Sequence, residues 1–227
     1  MTTAEGWTAA VRDRLAPGRL LPLGTAEDGA WITERAAREV LGRAAAAVRG
    51  VVPGALRVGP LPESGPDAAA PPLPVPPGGL PYGPLGITAE FGALLGRSLP
   101  ELAEEVRTTL LGAAEDGIGL PVADVELRVT ELLDAAPPSE PAAPPPGRTS
   151  PATDDPVALA VLRVGGVAGV TDVLGPPVHR SPGGHVRVEL AVTSGRRPLD
   201  VARAARSAVT AAASGATAVT VLVTELR

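Results

Sequence analysis

The chain has no cysteine, lysine, asparagine or glutamine, and its 227 residues include only one Phe, one Tyr and two Trp. Without cysteine, neither a disulfide framework nor a thiolate metal site can form. Without lysine, a phosphate-binding loop lacks its usual ammonium, and no Gly-x-Gly-x-x-Gly run is present either. The missing lysine and asparagine need AT-rich codons, which points to a GC-rich bacterial genome. The arginine-only basic surface therefore carries no message about phosphate. The shortage of aromatics leaves Ala, Val and Leu to build the core. Such cores bury little area per residue, so the parts of the chain are expected to pack together or to oligomerise. Met1-Thr2-Thr3-Ala4-Glu5 has no basic region leading into an apolar run, so no signal peptide is expected. The uncharged run Ser207 to Thr224 approaches the length of a spanning helix. It is interrupted by Ser214-Gly215, a natural helix stop, and reads instead as a helix end followed by a buried strand.

What the chain does contain is an internal repeat. Ile87-Thr88-Ala89-Glu90-Phe91 aligns with Val186-Arg187-Val188-Glu189-Leu190, and without a gap Gly96-Arg97 falls on Gly195-Arg196 and Arg107 on Arg206. Val129-Thr130-Glu131-Leu132 recurs as Val223-Thr224-Glu225-Leu226. Upstream, Val48-Arg49-Gly50-Val51 matches Val164-Gly165-Gly166-Val167, and Gly59-Pro60 matches Gly175-Pro176. The pattern reads as a tandem duplication.

Two Pro/Ala-rich stretches, residues 60–84 and 134–155, are read as spacers that form no packed core. They organise the chain into a first unit, 1–133, with 60–84 as an insertion, a linker at 134–155, and a second unit, 156–227. The expected fold class is α+β: two tandem two-layer units, each helix–strand–strand–helix–strand, with helices on one face of a small sheet. In the first unit a short helix over 5–15 is followed by a strand at 19–23 and a helix from about 34, with Thr33 as its N-cap and Gly50 as its stop. Leu56-Arg57-Val58 is a short strand, and Ile87, Ala89 and Phe91 alternate as another. Pro100 opens a helix with Leu102, Val106 and Leu110 inward, and Val125, Leu127 and Val129 close the sheet. In the second unit Asp155-Pro156 caps a helix and Val170–Leu174 is a strand. Val186 to Val192 is another, Pro198 opens the next helix, and Val219, Val221 and Val223 close the sheet.

The segments Gly29-Ala30-Trp31-Ile32-Thr33, Ala47-Val48-Arg49-Gly50-Val51 and Glu90-Phe91-Gly92 resemble the alkaline shock protein family, small proteins linked to cell-envelope stress. So do Leu99-Pro100-Glu101-Leu102-Ala103-Glu104-Glu105-Val106 and Gly119-Leu120-Pro121-Val122 before Val125-Glu126-Leu127-Arg128-Val129. The likeness covers roughly residues 29–133, with 60–84 as an insertion, and reaches the second unit only through the first. It implies a non-enzymatic protein that assembles with itself or with membrane-associated partners, and it brings no catalytic residues.

Charge is unevenly spread around a net of -5. The first unit is acidic at Glu101, Glu104, Glu105, Glu115 and Asp116, and the second is basic at Arg180, Arg187, Arg196, Arg197, Arg203 and Arg206. Such polarity either steers partners or draws the two units together. His179 and His185 could ligate a metal with Asp172 or Glu189, but their spacing matches no recurring zinc pattern, and the segment reads as a hairpin turn. Ser181 lies near both histidines without a Gly-x-Ser-x-Gly elbow. No catalytic, cofactor or metal residues are assigned.

The reading is a cytoplasmic, non-enzymatic interaction or scaffold module in envelope stress. It has no membrane span of its own and stands at the membrane only through partners. Its partners are proteins, either a second copy or a membrane-anchored protein, met through Glu101, Glu104 and Glu105 and through Arg196, Arg197, Arg203 and Arg206. The alternative is nucleic-acid binding by that arginine set. Against it, residues 156–227 hold no Phe, Tyr or Trp on which a base could stack.

Overall fold

The computed structural model describes residues 18–61, 74–135 and 150–227. The expected helix at 5–15 lies outside them, as does most of the 134–155 linker. The molecule is α+β. A hairpin of β1 (Leu20–Leu23) and β2 (Ala30–Thr33) leads into α1 (Glu34–Ala47). Thr33 ends the strand and caps the helix, its hydroxyl accepting from the Ala36 N–H at 3.4 Å. Then follow β3 (Val51–Pro60), β4 (Leu85–Leu94), α2 (Leu99–Gly112), a π-helical turn (Ala113–Ile118) and β5 (Val122–Leu133). The second part holds α3 (Pro156–Leu162), β6 (Val167–Val170), β7 (Val178–Ser181), β8 (His185–Val192), α4 (Pro198–Ala212) and β9 (Ala218–Leu226). Asp155 caps α3 by accepting from the Val157 N–H at 2.8 Å, with Pro156 at the helix start where its missing N–H costs nothing.

The strands form two sheets. In the smaller, β4 lies between antiparallel β3 and parallel β5. In the larger, the order is β1-β2-β9-β8-β6, with β7 also paired to β8. The pairing within β6/β7-β8-β9 repeats that of β3-β4-β5. Both parallel ladders slip by one residue at the same place, between Phe91↔Val129 and Gly92↔Glu131 and between Leu190↔Val223 and Ala191↔Glu225. At each slip a threonine hydroxyl donates to the neighbouring strand at 3.3 Å, Thr130 to the Phe91 carbonyl and Thr224 to that of Leu190. Gly50 and Gly166 turn in the left-handed region at φ 90° and 96°, where glycine alone is unstrained.

Three features differ from expectation. The first hairpin belongs to the second sheet: β2 runs parallel to β9, with Trp31 opposite Leu222. β6 and β7 together trace the path of β3, interrupted by residues 171–177. Val178 pairs with Val188 as Leu56 pairs with Ala89, and Ser181 pairs with His185 as Gly59 pairs with Gly86. Gly59 therefore corresponds in position to Ser181, not to Gly175, and the expected strand at 170–174 is mostly loop. Finally, the 60–84 segment is not wholly a spacer. Gly78 accepts from the Leu20 N–H at 3.0 Å, Leu80 donates to the Leu20 carbonyl at 2.8 Å, and Tyr82 packs on Trp31 in a tilted contact with ring centroids 4.8 Å apart. Proline-rich chain can pack when a few apolar side chains between the prolines find a sheet to cover.

One apolar cluster joins the inward faces of both sheets and all four helices, including Leu41, Val58, Ile87, Phe91, Leu110, Ala205 and Val221. With side chains this small, neither half closes a core alone, and burial is achieved by sharing one. The opposite face of the larger sheet carries a second cluster, Leu20, Trp31 and Leu222, covered by Tyr82 and Leu174.

Candidate interaction surface

Helix α2 turns Leu102, Val106 and Leu110 into the core and leaves Glu101, Glu104 and Glu105 exposed. Glu104 pairs with Arg107 at 2.6 Å and Glu105 with Arg97 at 2.7 Å, both open to solvent and so weakly held. Glu101 has no hydrogen-bond or ion-pair partner among the described residues.

The equivalent helix, α4, uses its charges differently. Arg203 forks onto Asp28, its Nε 2.7 Å and Nη2 3.0 Å from the two carboxylate oxygens. Arg206 donates to the Glu27 carbonyl in the same β1–β2 turn. Arg197 donates through Nε and Nη2 to the Glu115 carbonyl at 3.2 and 2.9 Å. Three of the four arginines expected to meet partners thus hold the second half against the first. Arg196 alone of the four is exposed with no hydrogen-bonded partner among the described residues. Asp28 completes this clamp by accepting from the Thr25 N–H at 2.8 Å. Partial burial opposes its ionisation, but the Arg203 and Thr25 contacts outweigh that and hold its carboxyl below the usual range.

The rest of the basic set is also engaged. Arg180 pairs with Asp155 at 2.6 Å, and Arg187 lies 3.6 Å from Glu189. The burial of Glu189 is the least expected polar feature. Its side chain is fully enclosed beneath the 171–177 loop, where one oxygen accepts from the Leu174 N–H at 2.9 Å. Among the described residues, its other oxygen and the Arg187 Nε have no hydrogen-bond partner. Burial, with the charge of Asp172, pushes the Glu189 carboxyl up to about 7 against the pull of Leu174 and Arg187. Glu90, its counterpart on β4, stays partly open and faces Arg128 at 3.9 Å. The two settings differ in the inserted loop and in the cross-strand neighbour, Arg128 beside Glu90 but Leu222 beside Glu189, so alternation alone could not have revealed it.

His185 is half-buried and bonds Thr220 Oγ1 at 2.9 Å, with burial and then the nearby Arg187 and His179 holding its pKa low. His179 sits exposed on β7, within the hairpin the sequence suggested. Among the described residues no group of three His, Asp or Glu side chains converges as a metal site. Nor is any described helix long and apolar enough to cross a membrane; the Ser207–Thr224 run is the end of α4 followed by β9.

The open concavities are shallow. One of about 480 Å³ lies beside Arg203, Arg206 and Thr210, and one of about 400 Å³ lies between Arg180, His185 and Ser214. Ser181 also lines the second, where it pairs in register with His185, whose ring bonds Thr220 instead. Exposed apolar side chains occur at one end of the smaller sheet, at Leu95, Val129 and Leu132, at Leu99 where α2 begins, and on α3 at Leu159 and Leu162. The chain matches no family model, no curated protein and no solved structure.

Proposed function

We propose that the chain is a non-enzymatic interaction or scaffold module acting in a cell-envelope stress response, as its likeness to the alkaline shock proteins suggests. The observation that carries the reading is the unequal use of two equivalent helices. The arginines of α4 are engaged within the chain, whereas Glu101, Glu104 and Glu105 on α2 stay in solvent, and Val129 and Leu132 on β5 are exposed. The working face is therefore the acidic side of α2 and the adjoining sheet, with the exposed Arg196 on the other half. Its partners are basic protein surfaces, among them a membrane-anchored protein. Repeated strand order, equal ladder slips and equivalent left-handed glycines support a duplicated origin for the two halves.

The arginine set gives the nucleic-acid reading less support than its composition promised, because Arg197, Arg203 and Arg206 already have partners. Recovery of the tagged chain from its host, with and without nuclease, separates the two readings. The interaction reading expects protein partners that survive nuclease and are lost from E101R/E104R/E105R, a variant whose changes lie on exposed positions. Loss of every partner to nuclease alone would instead establish nucleic-acid binding through the second half.

A further inference from the structure

Strand β5 is an outer strand of its sheet, and its free edge is organised for pairing. We infer that β5 pairs antiparallel with β5 of a second copy, joining two smaller sheets into one of six strands. The inference rests on the reading of the chain as an interaction module and names one partner for that face.

Two other outer strands, β3 and β1, are protected. β3 carries Pro53 and Pro60 and a bulge between Pro53 and Leu56, and Arg19 Nη2 covers the Val58 carbonyl at 2.7 Å. β1 is bridged by Gly79. No described strand pairs with the outer edge of β5. Its counterpart β9 shows that this side of the ladder has room for a strand, because β2 lies there with the Val221 N–H bonding the Gly29 carbonyl at 2.9 Å.

That bond also sets the phase. Val221 corresponds to Leu127, so the N–H and C=O groups of Val125, Leu127 and Val129 point away from β4. Arg107 agrees with this, its Nε lying 3.5 Å from the Val125 carbonyl, a long contact that an incoming strand can replace. Two copies related by a two-fold axis must place outward-pointing residues opposite each other. Among the registers that do so, charge selects one. Centring on Leu127 sets Glu126 against Arg128 of the other copy twice over, and Val125 against Val129. Centring on Val125 sets Glu126 against Asp124, on Glu126 it sets Glu126 against itself, and on Arg128 it opposes two arginines. Glu126 and Arg128 are both exposed, with Arg128 77% open, so the cross-copy pairs need no rearrangement of the core.

Sedimentation velocity of the full chain across the micromolar to millimolar range tests this. The wild type is expected to dimerise. R128E and E126R, which each turn two attractive pairs into repulsive ones, should each weaken the dimer at least about tenfold. E126R/R128E should recover it, and an equimolar mixture of the two single variants should form a heterodimer. Thermal unfolding of each variant checks that the fold is retained. A chain that stays monomeric throughout, or a dimer indifferent to both reversals, overturns the pairing. If partners still survive nuclease in that case, only the β5 pairing falls; if none does, the interaction reading falls whatever the state of β5.

Discussion

Strands β5 and β9 close ladders of the same design and share a Val-Thr-Glu-Leu sequence, yet one is a sheet edge and the other lies inside a sheet. Val129 is 38% exposed while Val223 is fully buried, and Thr130 is exposed where Thr224 is enclosed. The difference comes from what was added around the second ladder. The β1–β2 hairpin crosses from the other half to cover one edge of β9. Trp31, Tyr82 and the 171–177 loop cover the back face of its sheet. The smaller sheet received neither and keeps its β5 edge and outer face in water. Identical local sequence can therefore serve as core or as surface, depending on segments distant in the chain.

The largest way to break the contrast is to uncover the back of the larger sheet. Trp31 is fully buried, and its indole N–H donates to the Leu80 carbonyl at 3.1 Å. W31A is expected to cost about 3–5 kcal/mol, read as a lower midpoint in urea unfolding. A loss under about 1 kcal/mol would mean that the 74–84 strap contributes little cover.

The second prediction compares Glu189 with Glu90. The folded Glu189 carboxyl titrates near 7, above its ordinary value of 4.5. The folded state therefore holds a proton that the unfolded chain releases. The stability this contributes is present in full below the ordinary value, falls as pH rises, and is gone above about 7. The fall amounts to about 3 kcal/mol at most. E189Q should remove that slope from urea midpoints measured between pH 4 and 8, a window chosen to span both values. E90Q, at a partly open site, should shift stability by less than about 0.5 kcal/mol.

The smallest contrast is between the two ladder-slip threonines. Thr224 Oγ1 lies 2.7 Å from the buried Thr171 hydroxyl, so T224A leaves that group without its partner and should cost about 1–3 kcal/mol. T130A, at an exposed site, should cost about 0.5 kcal/mol or less. Equal losses would mean that hydroxyl burial is not what separates the ladders.

Much of the local structure was legible in the chain. Thr33 and Asp155 announce helix starts through their capping oxygens, Pro156 and Pro198 sit where helices begin, and the alternation of Val186, Val188 and Leu190 marks a one-sided strand. The acidic face of α2 and the exposure of His179 also followed from pattern. The partners of Arg197, Arg203 and Arg206 did not. Asp28 is 175 positions away from Arg203, and two of the three acceptors are backbone carbonyls, which leave no mark in composition. Burial of Glu189 was equally hidden, because it depends on an inserted loop folding over a position that alternation assigns to the outer face.

The sequence by itself determined the helix starts, most of the strands, the small-residue core and the repeated ladder, since caps, periodicity and turn glycines act over a few residues. Only the tertiary structure decided that the first hairpin completes the second sheet and that part of a proline-rich segment covers its back. It also decided that α4 spends its arginines inside the molecule while β5 keeps an open edge. Those outcomes depend on which distant surfaces bury the most apolar area and pair the most backbone groups, a choice made between segments far apart in the chain.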